Sequence, residues 1–132
     1  MTMLTPRPSQ LLRRALMADA VITGATGVAM FAAAAPLAAL FGLPDPLLRY
    51  AGVSLLPFAA FVGALAGRKS IPLTAVRVVI AANALWVLDS LLLLVTGWVD
   101  PSVLGYVFVI GQALIVAAFA ELQYAGLKTS PA

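Results

Sequence analysis

Four long apolar stretches limit the folds open to this chain more than any other feature of its sequence. They lie near residues 15–41, 47–66, 75–97 and 102–123. A helix needs about 20 apolar residues to cross a hydrocarbon core of about 30 Å. Lipid offers no partner to an unpaired backbone amide, so each stretch is predicted to be a transmembrane helix. We therefore expect one all-α domain over residues 1–132, with a four-transmembrane-helix bundle built from two helical hairpins.

Composition also favours a membrane environment. Hydrophobic residues make up 63% of the chain and charged residues 10%, whereas a soluble domain has about 25% charged residues. So few charges could not cover a water-exposed globule, and an integral protein surrounded by the lipid bilayer is expected. The net charge of +3 is better explained by membrane orientation than by a nucleic-acid partner, and none is expected.

The residue types that are missing restrict the chemistry. The sequence has no Cys and no His, which removes thiolate catalysis and the commonest ligand of zinc and haem. It also shows no nucleotide-binding loop, no cluster of metal ligands and no nucleophile–base pair. We therefore expect a protein that is not an enzyme, with no catalytic residue, no cofactor and no metal.

Basic residues predict the orientation in the membrane. Of the eight, Arg49 alone, near the start of the second predicted helix, falls on the opposite side of the membrane from the rest. The other seven precede the first helix, surround the link between the second and third, or follow the fourth: Arg7, Arg13, Arg14, Arg68, Lys69, Arg77 and Lys128. Because basic residues are retained on the cytoplasmic side, both termini are expected to be cytoplasmic.

The two turns expected on the outer side share a frame. "GLPDP" begins at Gly42 and "GWVDP" at Gly97. Each Gly is expected to take the left-handed conformation that ends a helix, and Asp45 and Asp100 are expected to cap the helices that follow. Two interpretations stay open, namely an internal repeat of one hairpin and independent selection of good turn residues.

Small residues recur at helical spacing on the first two predicted helices. The second carries Ala59, Gly63 and Gly67, and the first carries Gly24 and Gly27. Such ridges allow helix backbones to approach closely in a membrane. They predict tight packing either within one chain or against another subunit, and spacing alone does not distinguish the two.

Charged residues near the cytoplasmic side are predicted to meet. Asp19 lies near the start of the first predicted helix, Arg77 near the start of the third, and Glu121 near the end of the fourth. One cation between two acids would satisfy each group better than any group alone. We expect either a structural clamp or the cytoplasmic entrance of an ion path.

A second polar layer is expected deeper in the membrane. Its candidate members are Ser54, Asn83, Asp89, Ser90 and Gln112. An ionisable residue within a membrane is by default a functional hypothesis, and Asp89 is predicted to face the interior of the bundle. A protonated Asp89 could donate to Gln112 or Ser54 and hold helices together. It could instead handle protons or cations, or contact a partner.

The second half of the chain carries a resemblance. The stretches "NALWVLDSLLLLVTGW" and "GYVFVIGQALIVAAFAELQYAGL" resemble small four-helix bacterial integral membrane proteins to which no activity is generally assigned. The resemblance covers the third and fourth predicted helices and includes no catalytic motif. It implies a multi-pass protein of the bacterial inner membrane and implies no mechanism.

Two functions remain as expectations. The first is a non-enzymatic accessory or scaffold protein that packs with other membrane components, because the chain has much packing surface and little chemistry. The alternative is a small oligomeric proton-linked transporter or channel that uses Asp89. The partner would be a larger membrane protein in the first case and further copies of this chain in the second.

Overall fold

The computed structural model describes residues 8–130 and the backbone of Leu4–Thr5. The elements are β1 (Leu4–Thr5), α1 (Gln10–Ala32), α2 (Ala34–Phe41), α3 (Asp45–Ala66), β2 (Ile71–Pro72), α4 (Leu73–Val95) and α5 (Val103–Lys128). The two short strands pair antiparallel, with Leu4 opposite Pro72 and Thr5 opposite Ile71. The predicted all-helical class is confirmed, and α1, α3, α4 and α5 are each long and apolar enough to cross a membrane.

The first predicted helix is divided in two. Residue Ala33 leaves helical geometry, with φ −112° and ψ 28°, and separates α1 from α2. Pro36 accounts for the break, because it has no N–H to donate to the carbonyl of Ala32 and its ring crowds the preceding turn. Helix α1 also begins earlier than predicted, after Ser9, whose Oγ accepts a hydrogen bond from Leu12 N at 3.1 Å. Asp19 consequently lies roughly 14 Å along the helix rather than near its start.

Small residues set the contact between α1 and α3. A Cβ added to Gly24 would lie 3.5 Å from Ala59 Cβ, and one added to Gly63 would lie 3.5 Å from Ala20 Cβ. Since the later residue of α1 meets the earlier residue of α3, the two helices run antiparallel. The predicted ridge residues Gly24, Ala59 and Gly63 therefore pack within one chain.

The closest approach of these two helices involves a residue that the spacing argument missed. A Cβ on Gly52 would lie 2.7 Å from Gly27 O, and one on Gly27 would lie 2.9 Å from Gly52 O. Any side chain at either position would separate the backbones. Gly67, by contrast, is exposed at the end of α3, and a Cβ there would meet only carbonyls of its own helix, at 3.7 Å or more. Gly67 is not part of the predicted ridge.

The first and last described residues lie at the same end of the molecule, which we call the terminal end. Ser9 N donates to Ser130 Oγ at 2.9 Å, and Ser9 Oγ donates to Gly126 O at 2.7 Å. Gly126 is required there, because an added Cβ would lie 2.6 Å from the backbone of Leu12. The guanidinium of Arg13 bonds the carbonyl of Ala66, which brings the link from α3 to α4 to the same end.

The opposite end, which we call the turn end, holds both glycine turns. Gly42 and Gly97 have φ of 64° and 72°, so the predicted left-handed conformation is confirmed. The predicted capping roles are wrong. Helix α3 starts at Asp45 itself, without a side-chain cap, and Asp45 pairs with Arg49 at 2.9 Å. Helix α5 is capped by Ser102, whose Oγ accepts a hydrogen bond from Gly105 N at 3.1 Å.

A contact between the turns explains where α5 begins. Ser102 N donates to Phe41 O at 2.9 Å, and Ser102 Oγ donates to Leu40 O at 2.8 Å. The end of α2 therefore holds Ser102 in place, two residues after Asp100. Stacking of Phe41 on Phe108, with ring centroids 4.5 Å apart, extends the same contact.

Two apolar clusters fill the interior, one at each end. At the terminal end the buried residues are Leu12, Leu16, Val62, Leu65, Ala66, Ile71, Val76 and Val79. At the turn end they are Met30, Ala34, Leu43, Leu48, Leu55 and Val109. Helix α1 packs on α3 and α5, and α4 packs on α5, whereas the backbones of α3 and α4 approach at few points. Two cavities lie between these last two helices.

Candidate functional site

Four buried side chains form a hydrogen-bonded group that we call the Asp19 network. Thr23 Oγ1 donates to Asp19 Oδ1 at 2.7 Å. Asn83 Nδ2 and Gln123 Nε2 donate to Asp19 Oδ2 at 2.8 and 2.7 Å. Asn83 Nδ2 is also 3.0 Å from Gln123 Oε1. The network joins α1, α4 and α5 between the two apolar clusters, and Asp19 and Gln123 have no exposed surface.

Helix geometry explains how these side chains meet. Asp19 and Thr23 are four residues apart and share a face of α1. Asn83 lies about 15 Å along α4, and Gln123 lies about 8 Å before the end of the antiparallel α5. Asp19 itself lies about 14 Å along α1. Asp19 and Asn83 are therefore at a similar depth, whereas Gln123 is on the order of 6 Å nearer the terminal end, and its longer side chain reaches Asp19 Oδ2.

Asp19 has hydrogen-bond donors but no cationic partner among the described residues. In residues 8–130 the ion pair found is the one between Arg49 and Asp45, at the turn end. All three groups that bond Asp19 are uncharged donors. A buried carboxylate without a counter-charge is costly. Acidic residues at such positions in membrane helices are commonly functional.

The predicted cluster of Asp19, Arg77 and Glu121 does not form. Arg77 and Glu121 are exposed, whereas Asp19 is buried. Glu121 and Gln123 are two residues apart and so point in different directions, and Gln123 takes the inward position. The sequence offered one signal for this inward position. Gln123 follows the apolar Phe119 by four residues, the spacing of one helix face, and the structure shows both side chains buried.

A second group, the Gln112 network, lies nearer the turn end. Trp86 Nε1 donates to Gln112 Oε1 at 2.7 Å, and Gln112 Nε2 donates to Ser90 Oγ at 3.0 Å. Ser90 Oγ in turn donates to Trp86 O at 2.7 Å. The predicted residues Ser90 and Gln112 are thus brought together. Trp86, which the sequence argument did not include, completes the link between α4 and α5.

Asp89 does not face the interior as predicted. It is exposed and forms no hydrogen bond or ion pair with any residue of the described part of the chain. Asn83 and Ser90 are seven residues apart on one face of α4, and both are buried. Adjacent helical positions are rotated by about 100°, so the burial of Ser90 turns Asp89 outward.

Ser54 and Asn83 also differ from the predicted deep layer. Ser54 is exposed and its Oγ donates to Ala51 O at 2.7 Å rather than forming a hydrogen bond with Asp89. Asn83 belongs to the Asp19 network rather than to a group around Asp89. The five residues predicted to form one site are therefore divided between the two networks and two separate exposed positions.

Two cavities adjoin these networks. The inner cavity, of about 220 Å³, has residues from α1, α3, α4 and α5 in its wall: Ile22, Thr23, Thr26, Ser54, Leu55, Phe58, Ala82, Asn83, Trp86, Gln112, Ile115, Val116 and Phe119. The outer cavity, of about 280 Å³, lies at the turn end, and Trp98, Asp89, Ser90 and Gln112 belong to its wall. Exposed residues in both walls show that each cavity is partly open.

The described residues contain no group of three or more acidic, His or Cys side chains that could hold a metal ion. No protein-family model, no curated protein and no solved structure matches this chain. The candidate functional features of the described residues are the Asp19 network, the exposed Asp89 and the two cavities.

Proposed function

We propose that the chain is a multi-pass protein of the cell inner membrane with the terminal end on the cytoplasmic side. The distribution of basic residues supports this orientation. Among the described residues, Arg49 is near the turn end. The other described basic residues lie towards the terminal end: Arg13, Arg14, Arg68, Lys69, Arg77 and Lys128.

In that setting the protein acts as a non-enzymatic accessory that docks onto a larger membrane protein. The supporting observation is the exposed Asp89, an acid in the middle of an apolar helix face. Leu85, Leu88 and Leu92 beside it are 57%, 53% and 45% exposed. An exposed acid about 9 Å from the end of an apolar helix is unfavourable in a membrane unless another group covers it. A partner helix would supply that cover.

The charge of Asp89 defines the partner. A helix that carries a basic or hydrogen-bond-donating side chain at the same depth would complement the acid. A second copy of this chain is less suited, because Arg49, the described basic residue at the turn end, already pairs with Asp45 at 2.9 Å. The docking face comprises Leu85, Leu88, Asp89 and Leu92, and we call it the Asp89 face.

Site-specific photo-crosslinking in membranes tests this proposal. A photoreactive amino acid at Leu88 should form an adduct with one larger membrane protein, and Asp89→Leu should remove the adduct. The same probe at Val21, an α1 residue that is 60% exposed, is the matched control and should give none. An adduct of twice the monomer mass, or one unaffected by Asp89→Leu, would contradict docking through this acid.

The alternative proposal is an oligomeric proton-linked transporter or channel that uses Asp89. It is supported by the position of Asp89 in the wall of the outer cavity, beside Ser90 and Gln112. Proton flux into vesicles that contain only this protein would favour it, provided that Asp89→Asn abolishes the flux and leaves the fold intact. Absence of flux in the parent protein would exclude it.

A further inference from the structure

We propose that the inner cavity binds a small amphipathic cation, an ammonium group carried on a body about the size of one aromatic ring. The proposal goes beyond the accessory function, because the residues that carry it belong to the Asp19 network and the cavity wall. None of them belongs to the Asp89 face. Three features lead to this ligand class: acceptor atoms and an acid that have no partner or ion pair within residues 8–130, and an aromatic wall.

Acceptor atoms without partners line the cavity. Asn83 is 3% exposed, and its amide nitrogen is used within the Asp19 network. Its Oδ1 accepts no hydrogen bond from residues 8–130. Every fully buried side-chain N or O atom in that range has a partner, so Oδ1 is not fully buried. Because Asn83 lines the cavity, we infer that Oδ1 is accessible from it. The Thr26 hydroxyl likewise forms no hydrogen bond within residues 8–130. Ser54 Oγ donates its proton to Ala51 O and accepts no hydrogen bond from these residues. A ligand that donates hydrogen bonds is therefore favoured.

The acid behind the wall favours a charged donor over a neutral one. Asp19 is one hydrogen bond away from the cavity residues Thr23 and Asn83, at 2.7 and 2.8 Å. No described side chain forms an ion pair with it. A cation in the cavity would supply the missing positive charge where the surroundings have a low dielectric constant and charge interactions are strong. An anion would be repelled.

The remaining wall suits an apolar body. Phe58, Trp86 and Phe119 line the cavity, and aromatic faces attract cations as well as apolar groups. Ile22 and Ile115 lie in the wall and are 45% and 49% exposed, so the opening is apolar. A cavity of 220 Å³ exceeds the roughly 150 Å³ that accommodates benzene. It therefore has room for one ring with a short aminoalkyl chain.

Three ligands of matched shape test the charge requirement. The probes are 2-phenylethylammonium, the neutral 2-phenylethanol and the anion phenylacetate, each titrated against the full chain in lipid nanodiscs. The chain has two Trp residues, so the Trp98→Phe variant leaves Trp86 as a fluorescent reporter in the cavity wall. We expect the ammonium to change Trp86 fluorescence saturably and to bind at least about tenfold more tightly than the alcohol. Phenylacetate should not bind.

Two variants locate the binding site. Thr26→Val removes a free hydroxyl with little change in shape and should weaken ammonium binding about tenfold. Asp19→Asn removes the charge, so the ammonium should lose its advantage over the alcohol. Thr74→Val, an exposed position near the start of α4, is the control and should change nothing.

The proposal has clear contrary outcomes. Equal affinity for the ammonium and the alcohol in the parent protein would exclude a cation site. Tight ammonium binding that is unaffected by both Thr26→Val and Asp19→Asn would place the ligand elsewhere. Absence of a saturable response to all three probes would exclude a site in this cavity. None of these results bears on docking through Asp89, which the crosslinking experiment tests separately.

Discussion

Asp19 and Asp89 show how differently one residue type behaves at two positions in apolar helices. Asp19 accepts hydrogen bonds from Thr23, Asn83 and Gln123 and is fully buried. Asp89 is exposed, with no partner in the described part of the chain. Three donors reduce the free-energy cost of burying Asp19, whereas a hydrogen-bond donor or cation for Asp89 has to come from outside the described residues. Structural importance is therefore expected at Asp19, and contact with a partner at Asp89.

Replacement of Asp19 should separate hydrogen bonding from charge. Asn has the same shape, and its oxygen can accept from Asn83 and Gln123 while its amide donates to Thr23. Asp19→Asn should therefore fold with little loss of stability. Asp19→Leu leaves buried donors without an acceptor and should lower the free energy of unfolding by about 1–3 kcal/mol.

Thermal unfolding of both variants in detergent, followed by circular dichroism, measures the difference. If Asp19→Asn were as unstable as Asp19→Leu, the charge itself would be required for folding. The network would then have a structural role that hydrogen bonding does not explain.

At the scale of single helices, the two glycines of α5 provide a matched pair. A Cβ on Gly105 would clash with the carbonyl oxygen of Phe41, whereas one on Gly111 would meet nothing within 4 Å. Gly105→Ala should lower the free energy of unfolding by about 1–3 kcal/mol, because the end of α2 must move. Gly111→Ala should be neutral or stabilising by up to about 1 kcal/mol, since Ala favours helix. Unfolding of the two variants side by side checks the contrast, and equal effects would contradict the close approach at Gly105.

The start of α5 gives a second prediction at this scale. Ser102→Ala removes the cap of α5 and the hydrogen bond to Leu40 O, and should cost about 0.5–2 kcal/mol. Asp100→Ala should change stability much less, because the side chain of Asp100 caps nothing. Unfolding curves of the two variants under one set of conditions give the loss in free energy of unfolding for each, and the larger loss identifies the residue that caps α5. A larger loss for Asp100→Ala would restore the role that the sequence predicted for it.

For the whole molecule, the terminal end is expected to face the cytoplasm. Contacts between Ser9 and Ser130 and between Arg13 and Ala66 gather both described ends of the chain and the α3–α4 link on one side. Reporter fusions after Gly67 and Lys128 should therefore read cytoplasmic, and a fusion after Asp100 should read external. An external signal at Lys128 would overturn the orientation, and with it the depth assigned to each network.

Much of the helical framework could be predicted without the structure. Length and hydropathy identify four apolar helices, because a helix is the structure that satisfies its own backbone in lipid. The positive φ of Gly42 and Gly97 also followed from local chemistry, since glycine takes this conformation without steric cost. The break at Ala33 was harder to predict from the sequence, because a proline can either bend or interrupt an apolar helix. Pro36 interrupts it.

Partners of the polar side chains could not be predicted in the same way. The rotation of a helix about its own axis decides which residue points inward, and a rotation of about 100° exchanges neighbours such as Asp89 and Ser90. That rotation is set by contacts between distant parts of the chain, including Gly27 against Gly52 and Gly126 against Leu12. The sequence by itself determined the apolar character and the approximate positions of the four long helices, because these depend on local composition. The tertiary structure alone decided that Asp19 is buried among amides and that Asp89 is exposed, because those outcomes depend on packing.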